Sequence, residues 1–357
     1  MQKLTGLISI NKKILLFFGM LLFSGIKAQI VYTTVSSLVS AVNAASATGG
    51  TFILKDGTYN NASLSISAIA AADKPIIIQS QTIGGVTLTG KSYVSFGYGA
   101  QYITLQGFKF NCTGTTTLIK FQGNNNIRIT RNDFTLTVPD GVTGVKWILI
   151  GGVYNDTTPP YQFLSHHNRI DHNNFHDKNT LGNFITIDGT NSVQVSQYDR
   201  IDHNLFRNNG PRAVNEQEAV RMGWSAMSNS SAYTILENNL FENCDGDPEI
   251  VSVKSCDNII RHNTFSGNYG SLSLRSGRRN LVDGNYFFGN KRPVGLAGDG
   301  VSHVYTGGVR IYGLDHIIVN NYFEGLNGTK FDAPISLTQG DDIGYSGANC
   351  TPDSGLN

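Results

Sequence analysis

From about residue 100 onward the chain alternates apolar and polar positions in short bursts, and each burst closes on the same residues. IRITRNDF, ending at Phe134, returns as NRIDHNNF at Phe175, DRIDHNLF at Phe206, TILENNLF at Phe241, NIIRHNTF at Phe265, NLVDGNYF at Phe287 and HIIVNNYF at Phe323. An Asn stands two positions before the Phe in every copy: Asn132, Asn173, Asn204, Asn239, Asn263, Asn285 and Asn321. ITLQGFKF, ending at Phe110, is an earlier copy without the Asn. Period-two alternation, as at Ile127 and Ile129, is the pattern of a short strand with one buried face. The Asn then marks a turn, because Asn tolerates left-handed backbone angles and can bond neighbouring backbone groups.

Successive Asn residues are 41, 31, 35, 24, 22 and 36 positions apart. The shortest interval suits one three-stranded coil of a parallel β-helix, and longer intervals are coils with loops inserted at a corner. Leucine-rich repeats would show a helical half and propeller blades a steadier period; neither fits. The predicted fold is therefore all-β, a right-handed parallel β-helix solenoid. Val35, Leu38, Val39 and Val42, at helical spacing within Val35 to Ala47, predict a short amphipathic helix capping its N-terminal end. Strands are expected around Thr51 to Leu54, Pro75 to Gln79 and Val86 to Thr89, whereas after Phe331 no further copy and no clear cap is visible.

Composition narrows the function. Of 357 residues only 15% are charged, and the formal net charge is +1. That balance argues against a nucleic-acid partner, which calls for a clustered basic excess. An anionic ligand has to be met by a local site. At the N-terminus Lys3, Lys12 and Lys13 precede the apolar run Ile14 to Ile26, which reads as a signal peptide over residues 1–28. The run is too short to span a bilayer, so the expected product is a secreted or periplasmic protein with no membrane span after cleavage. Residues 29–357 are expected to form one β-helix domain, shortened at its C-terminal end, and to be monomeric. Cys112, Cys244, Cys256 and Cys350 form no CxxC pair, and no disulfide is assigned.

Three segments between the repeats are not demanded by the fold: NEQEAVRMGWS (215–225), DGDPEIVSVKS (245–255) and SLSLRSG (271–277). Lys254 follows Asn239 by 15 positions and Arg275 follows Asn263 by 12, which predicts adjacent coils and a shared face. Asp247 and Glu249, spaced i and i+2, would point the same way in a strand. Converging with the Asn215 amide oxygen, they would make a hard, oxygen-rich site suited to calcium. A solvated acidic turn explains the same carboxylates, and solvated surface charge the same Lys and Arg. No GxSxG, HExxH or paired-carboxylate hydrolase pattern is present.

Together with GGVRIYGLDHIIVNNYFEGL, these segments resemble polysaccharide lyase family six, the alginate lyases and chondroitinase B. The resemblance implies a β-helix with a side cleft for an acidic polysaccharide, calcium (Ca²⁺) held by Asn215, Asp247 and Glu249, Lys254 as catalytic base and Arg275 as acid. The family usually has Glu at the position of Asp247, and Asp245 is a candidate to share its role. The implied reaction is β-elimination: Lys254 takes the C5 proton of a uronate, and positive charge at the substrate carboxylate offsets the charge that develops. Arg310, Arg221 and His303 are candidates to hold the polyanion. Alginate is the expected substrate; a chondroitin or dermatan sulfate lyase and a non-catalytic carbohydrate-binding β-helix are the alternatives.

Overall fold

The computed structural model describes residues 30–337, except 152, 154–161, 191–192 and 213–214. The expected signal peptide and Cys350 lie outside the described residues. Within them, each coil lays down three short strands, which stack into parallel sheets of 11, 10 and 10 strands. This is a right-handed parallel β-helix. No helix among the described residues is long and apolar enough to cross a membrane.

Stacking follows from the repeat, because equivalent residues pair across neighbouring coils. Phe134, Phe175, Phe206, Phe241, Phe265, Phe287 and Phe323 occupy one column, preceded by Phe110. Their rings stack with centroids 4.6 to 5.1 Å apart. The repeated Asn residues form a ladder. The side-chain oxygen of Asn239, for example, accepts from the amide and the side-chain nitrogen of Asn204, at 2.9 and 3.1 Å. Asn239 in turn donates to Asn263 and to the Ile201 carbonyl.

One expectation is corrected here. The left-handed angle is taken by the residue before each ladder Asn: Arg131, His172, His203, Asn238, His262, Gly284 and Asn320 all have φ between 53° and 63°. The corner needs a bend, and the preceding residue supplies it. That leaves the Asn side chain pointing into the solenoid, where its amide satisfies buried backbone groups.

The N-terminal helix is present as α1, Val35–Ala44, with Thr34 accepting from the Ser37 amide and Leu38 and Val42 fully buried on the first coil. It stops short of Ala47. Strands Gly50–Leu54, Ile76–Ser80 and Val86–Gly90 match the early expectations. Past Phe331 the solenoid does continue in one sheet: Ile335–Leu337 pairs in parallel with the preceding coil. The repeat signature misses it because this strand lies in a different sheet from the Asn corner. Cys112 and Cys244 are free and buried, while Cys256 is disulfide-bonded.

The sheet that matters for function contains, in chain order, β1 (Ile148–Ile150), β2 (Ile185–Ile187), β3 (Val220–Gly223), β4 (Glu249–Lys254), β5 (Gly270–Ser276), β6 (Thr306–Ile311) and β7 (Ile335–Leu337).

Candidate active site

In β3 to β6 the alternation is strict over the middle of each strand. Val220 and Met222, Val251 and Val253, Leu272 and Leu274, and Val309 and Ile311 belong to the core. The residues between them, Arg221, Ser252, Ser273 and Arg310, fall in register across the outer face. Lys254 ends β4 opposite Gly223 and Ser276. Gly223 is required there, since a Cβ would lie 2.7 Å from the Lys254 carbonyl oxygen and φ is +82°.

Two irregularities shape the site. Between β4 and β5 the register slips at Glu249/Val251 and again at Val253/Lys254, leaving Ile250 and Arg275 as extra residues. By parity Glu249 belongs with Val251 and Val253, and an unbroken strand would bury it in the core. The bulge turns Ile250 into the core instead and releases Glu249 to the outer face, the kind of re-aiming that bulges provide.

There Glu249 is the hub. It accepts from the hydroxyls of Ser252 and, at 3.2 Å, Ser273. The Arg275 Nε lies 3.2 Å and the Arg310 Nη1 3.8 Å from the same carboxylate oxygen. Arg275 also sits over the Tyr312 ring at 5.0 Å. Arg310 is buried and bonded to Asp332 and the Phe331 carbonyl, both at 3.1 Å. Lys254 is partly exposed and makes no side-chain hydrogen bond or ion pair among the described residues. The structure thus brings Lys254, Arg275, Glu249, Arg310 and Arg221 onto one face of adjacent strands.

Asp247 is placed differently from expectation. It precedes β4, so the i, i+2 strand rule does not apply to it and Glu249. Its carboxylate curls back to accept from the Glu249 amide at 2.9 Å and from the Gln217 amide at 3.3 Å. Burial, then the nearby Glu218 carboxylate, pushes this carboxyl up to about 7. Asp245 is engaged elsewhere: Arg292 holds it at 2.7 and 2.9 Å, and it accepts from the Tyr269 amide. Asn215 is exposed and lines a groove of about 920 Å³ together with Arg212, Pro248 and His303. His303 belongs to the hairpin formed by Gly295–Leu296 and His303–Val304, inserted in the coil after Asn285. Gln217, rather than Asn215, is the residue of that segment in contact with Asp247.

A calcium ion is consistent with the chemistry of this donor set. Glu218 and Glu249 both act on Asp247, whose carboxyl is raised first by burial and then by these neighbouring negative charges, which a cation would offset. No three His, Cys, Asp or Glu side chains converge as a ready-made metal site among the described residues, so an ion here needs amide oxygen as well.

Several residues escaped sequence reasoning. Glu218 sits inside NEQEAV but was masked by its neighbours. Lys146, half-buried beside Arg221, faces Asp188, Glu216 and Glu218; its ammonium is pushed down chiefly by burial and then by Arg221. Ser252 and Ser273 are identifiable only once the register is known. Lys178 would have been visible by aligning FHDK with FRNN and FENC, which stacks it beneath Asn209 and Cys244.

The molecule is therefore a parallel β-helix with an outward basic and carboxylate site on one sheet. The family model for chondroitinase B matches residues 32–347, and the chain belongs to that family, polysaccharide lyase family six. Among solved structures, it is similar to the PL6 family alginate lyase AlyGC, with 29% identity, a TM-score of 0.67, and coverage of 86% of this chain and 40% of that one. It is also similar to a mannuronic acid specific family 6 lyase from human gut microbiota, with 26% identity, a TM-score of 0.69, and coverage of 86% and 66%. The chain thus spans between two fifths and two thirds of the length of these relatives. The fold is shared as well with Pedsa3628 from Pseudopedobacter saltans, at 23% identity and a TM-score of 0.66. No curated protein matches the chain.

Proposed function

We propose that the protein is an exported polysaccharide lyase that cleaves alginate by calcium-assisted β-elimination. The observation that carries this reading is the side chain of Lys254, without a hydrogen-bond or ion-pair partner among the described residues, at the end of the strand that carries Glu249 and beside the strand whose Arg275 is ion-paired to that carboxylate. Alginate is favoured because relatives above 25% identity include an alginate lyase and a lyase specific for mannuronic acid. The leader-like residues 1–28 and the disulfide at Cys256 support export.

In the reaction, Lys254 Nζ accepts the proton from C5 of a bound uronate. The released electron pair forms the C4–C5 double bond, the C4–O4 bond breaks, and the departing oxygen takes a proton delivered by Arg275, directly or through a water that it orders. Arg275, ion-paired to Glu249 and backed by Tyr312, is held where its guanidinium can stabilise that oxygen. Arg310, Arg221 and Lys146 supply positive charge for the carboxylates of neighbouring sugars. Calcium held by Asn215, Asp247 and Glu249 would supply the positive charge that offsets the build-up on the substrate carboxylate.

The test is the ultraviolet absorbance of a conjugated uronate when purified protein meets alginate, with chondroitin sulfate in parallel. Growth of absorbance on alginate, abolished by a chelator, is expected. Signal on chondroitin sulfate alone would move the substrate to a glycosaminoglycan, and polymer shortening without the chromophore would replace the lyase with a hydrolase.

A further inference from the structure

Beside the candidate base lies an open aromatic surface that the reaction steps above leave unused. The chain has two tryptophans, and they differ: Trp147 is fully buried in the core, whereas Trp224 is 38% exposed and stands outside it. An indole is a large apolar group, and leaving it in water forgoes the stabilisation that burial gives. The backbone that carries it is fixed on both sides. Gly223 ends β3 with a φ of +82°, and a Cβ there would meet the Lys254 carbonyl oxygen at 2.7 Å. On the other side the Trp224 carbonyl accepts from the Met227 amide at 2.7 Å and closes a single 3₁₀ turn, Ser225–Met227, whose Met227 is fully buried. The indole is thus presented to solvent from an anchored main chain.

Strand register sets Trp224 next to Lys254. Gly223 pairs with Lys254 across β3 and β4, and Lys254 pairs with Ser276, the residue after Arg275, across β4 and β5. Trp224, one residue past Gly223, and Arg275 therefore flank Lys254 from the two neighbouring coils, each about 4.8 Å away in the strand-to-strand direction. By the alternation that buries Val220 and Met222, Gly223 faces outward, and it contributes no side chain to cover the strand. Arg221, the other outward residue of β3, has an Nε that is buried with no hydrogen-bond partner among the described residues. The end of β3 thus offers a guanidinium, a gap and an indole in succession. A uronate sugar has the matching parts: C–H groups on the faces of its ring and a carboxylate on its edge.

We propose that Trp224 is a specificity-determining residue of the polymer cleft, the platform on which the sugar adjoining the reacting uronate lays its apolar face, with Arg221 meeting that sugar's carboxylate. The proposal deepens the lyase reading and rests on it. It also says which sugar is held. Arg275 serves the departing O4, so the leaving half of the polymer lies toward β5, and the sugar toward β3 is the one joined through C1 of the reacting uronate. That sugar stays with the unsaturated product after cleavage. Stacking moves no proton and holds the bound substrate as well as the transition state, so its loss falls on KM and leaves kcat in place.

Two measurements on the full chain test it. In the first, alginate turnover is followed by product absorbance in the parent, Trp224→Ala and Trp224→Phe. The proposal expects Trp224→Ala to raise KM about tenfold with kcat within about twofold, and Trp224→Phe, which keeps an aromatic face, to stay within about threefold of the parent in both. An unchanged KM in Trp224→Ala, or a loss confined to kcat, overturns the proposal while the lyase reading stands. The second needs no change at Trp224: the Lys254→Ala protein is titrated with a mannuronate tetramer, and indole emission is read beside calorimetry of the same titration. Because Trp147 is buried, the proposal expects binding to shift the emission to the blue and to shield the exposed indole from acrylamide. Heat of binding with neither change overturns it. A parent that neither cleaves alginate nor binds the tetramer removes the alginate lyase reading, and the proposal with it.

Discussion

Single side chains divide into those that hold the solenoid together and those that hold charge at its surface, and the two make different demands. Asp199 shows the first kind. It is fully buried, accepts from the Asn168 amide and side chain at 2.9 and 3.0 Å, and accepts from the Ser196 hydroxyl. Burial pushes its carboxyl up to about 6. Between the unfolded carboxylate range near pH 4 and about pH 6, the folded protein keeps a proton that the unfolded chain has released. Stability must therefore fall as pH rises through that window. Asn at this position would accept from Asn168 and donate to Ser196, whose own proton would then turn to its other acceptor, the Ser165 carbonyl. Asp199→Asn is expected to be more stable by about 2 to 3 kcal/mol above pH 6 and indistinguishable below pH 4, measured by denaturant unfolding across pH. At the surface, Arg275→Ala should lower turnover by at least about a hundredfold without an equal loss of substrate affinity. Steady-state kinetics would separate that from a loss of binding alone. Offsets from the ladder Asn were enough to place Lys254 and Arg275 together. Lys178 was missed because a lone Lys in a polar stretch reads as surface until FHDK is aligned with FRNN and FENC.

Strands and corners carry a different kind of information. The period-two pattern and the repeated Asn-x-Phe closure made two sheets and their shared corner legible, because stacking forces equivalent residues into columns. The third sheet was harder, since its strands carry the inserted chemistry and lack the signature. Its bulge at Ile250 could not be read from EIVSVK, where five consecutive residues are buried and parity alone would have sent Glu249 inward. The ladder predicts a graded response to mutation. Asn239→Ala leaves the Asn204 amide and the Ile201 carbonyl buried without their partners, at about 1 to 3 kcal/mol each. Its unfolding midpoint should drop sharply, by the equivalent of about 3 kcal/mol or more. Asn321→Ala, on the more exposed last rung, should cost clearly less; equal losses would argue against a ladder closed by burial.

At the scale of the whole molecule, a formal net charge of +1 means that long-range attraction contributes little, and under the proposed function recognition of a polyanion would fall to Arg221, Arg310, Arg275 and Lys146. Raising ionic strength should weaken apparent affinity for alginate only modestly and leave turnover at saturation nearly unchanged, since the proposed contacts are local and partly buried. The solenoid supplies the rigidity for this: adjacent strands about 4.8 Å apart set the spacing between charges on neighbouring coils. The central claim is that Lys254 removes the C5 proton on that face. The most direct measurement is turnover of alginate by Lys254→Ala, followed by the absorbance of the unsaturated product in a preparation whose thermal unfolding matches the parent. A loss of about a thousandfold or more is expected for removal of the base; turnover within a few-fold of the parent would contradict the account.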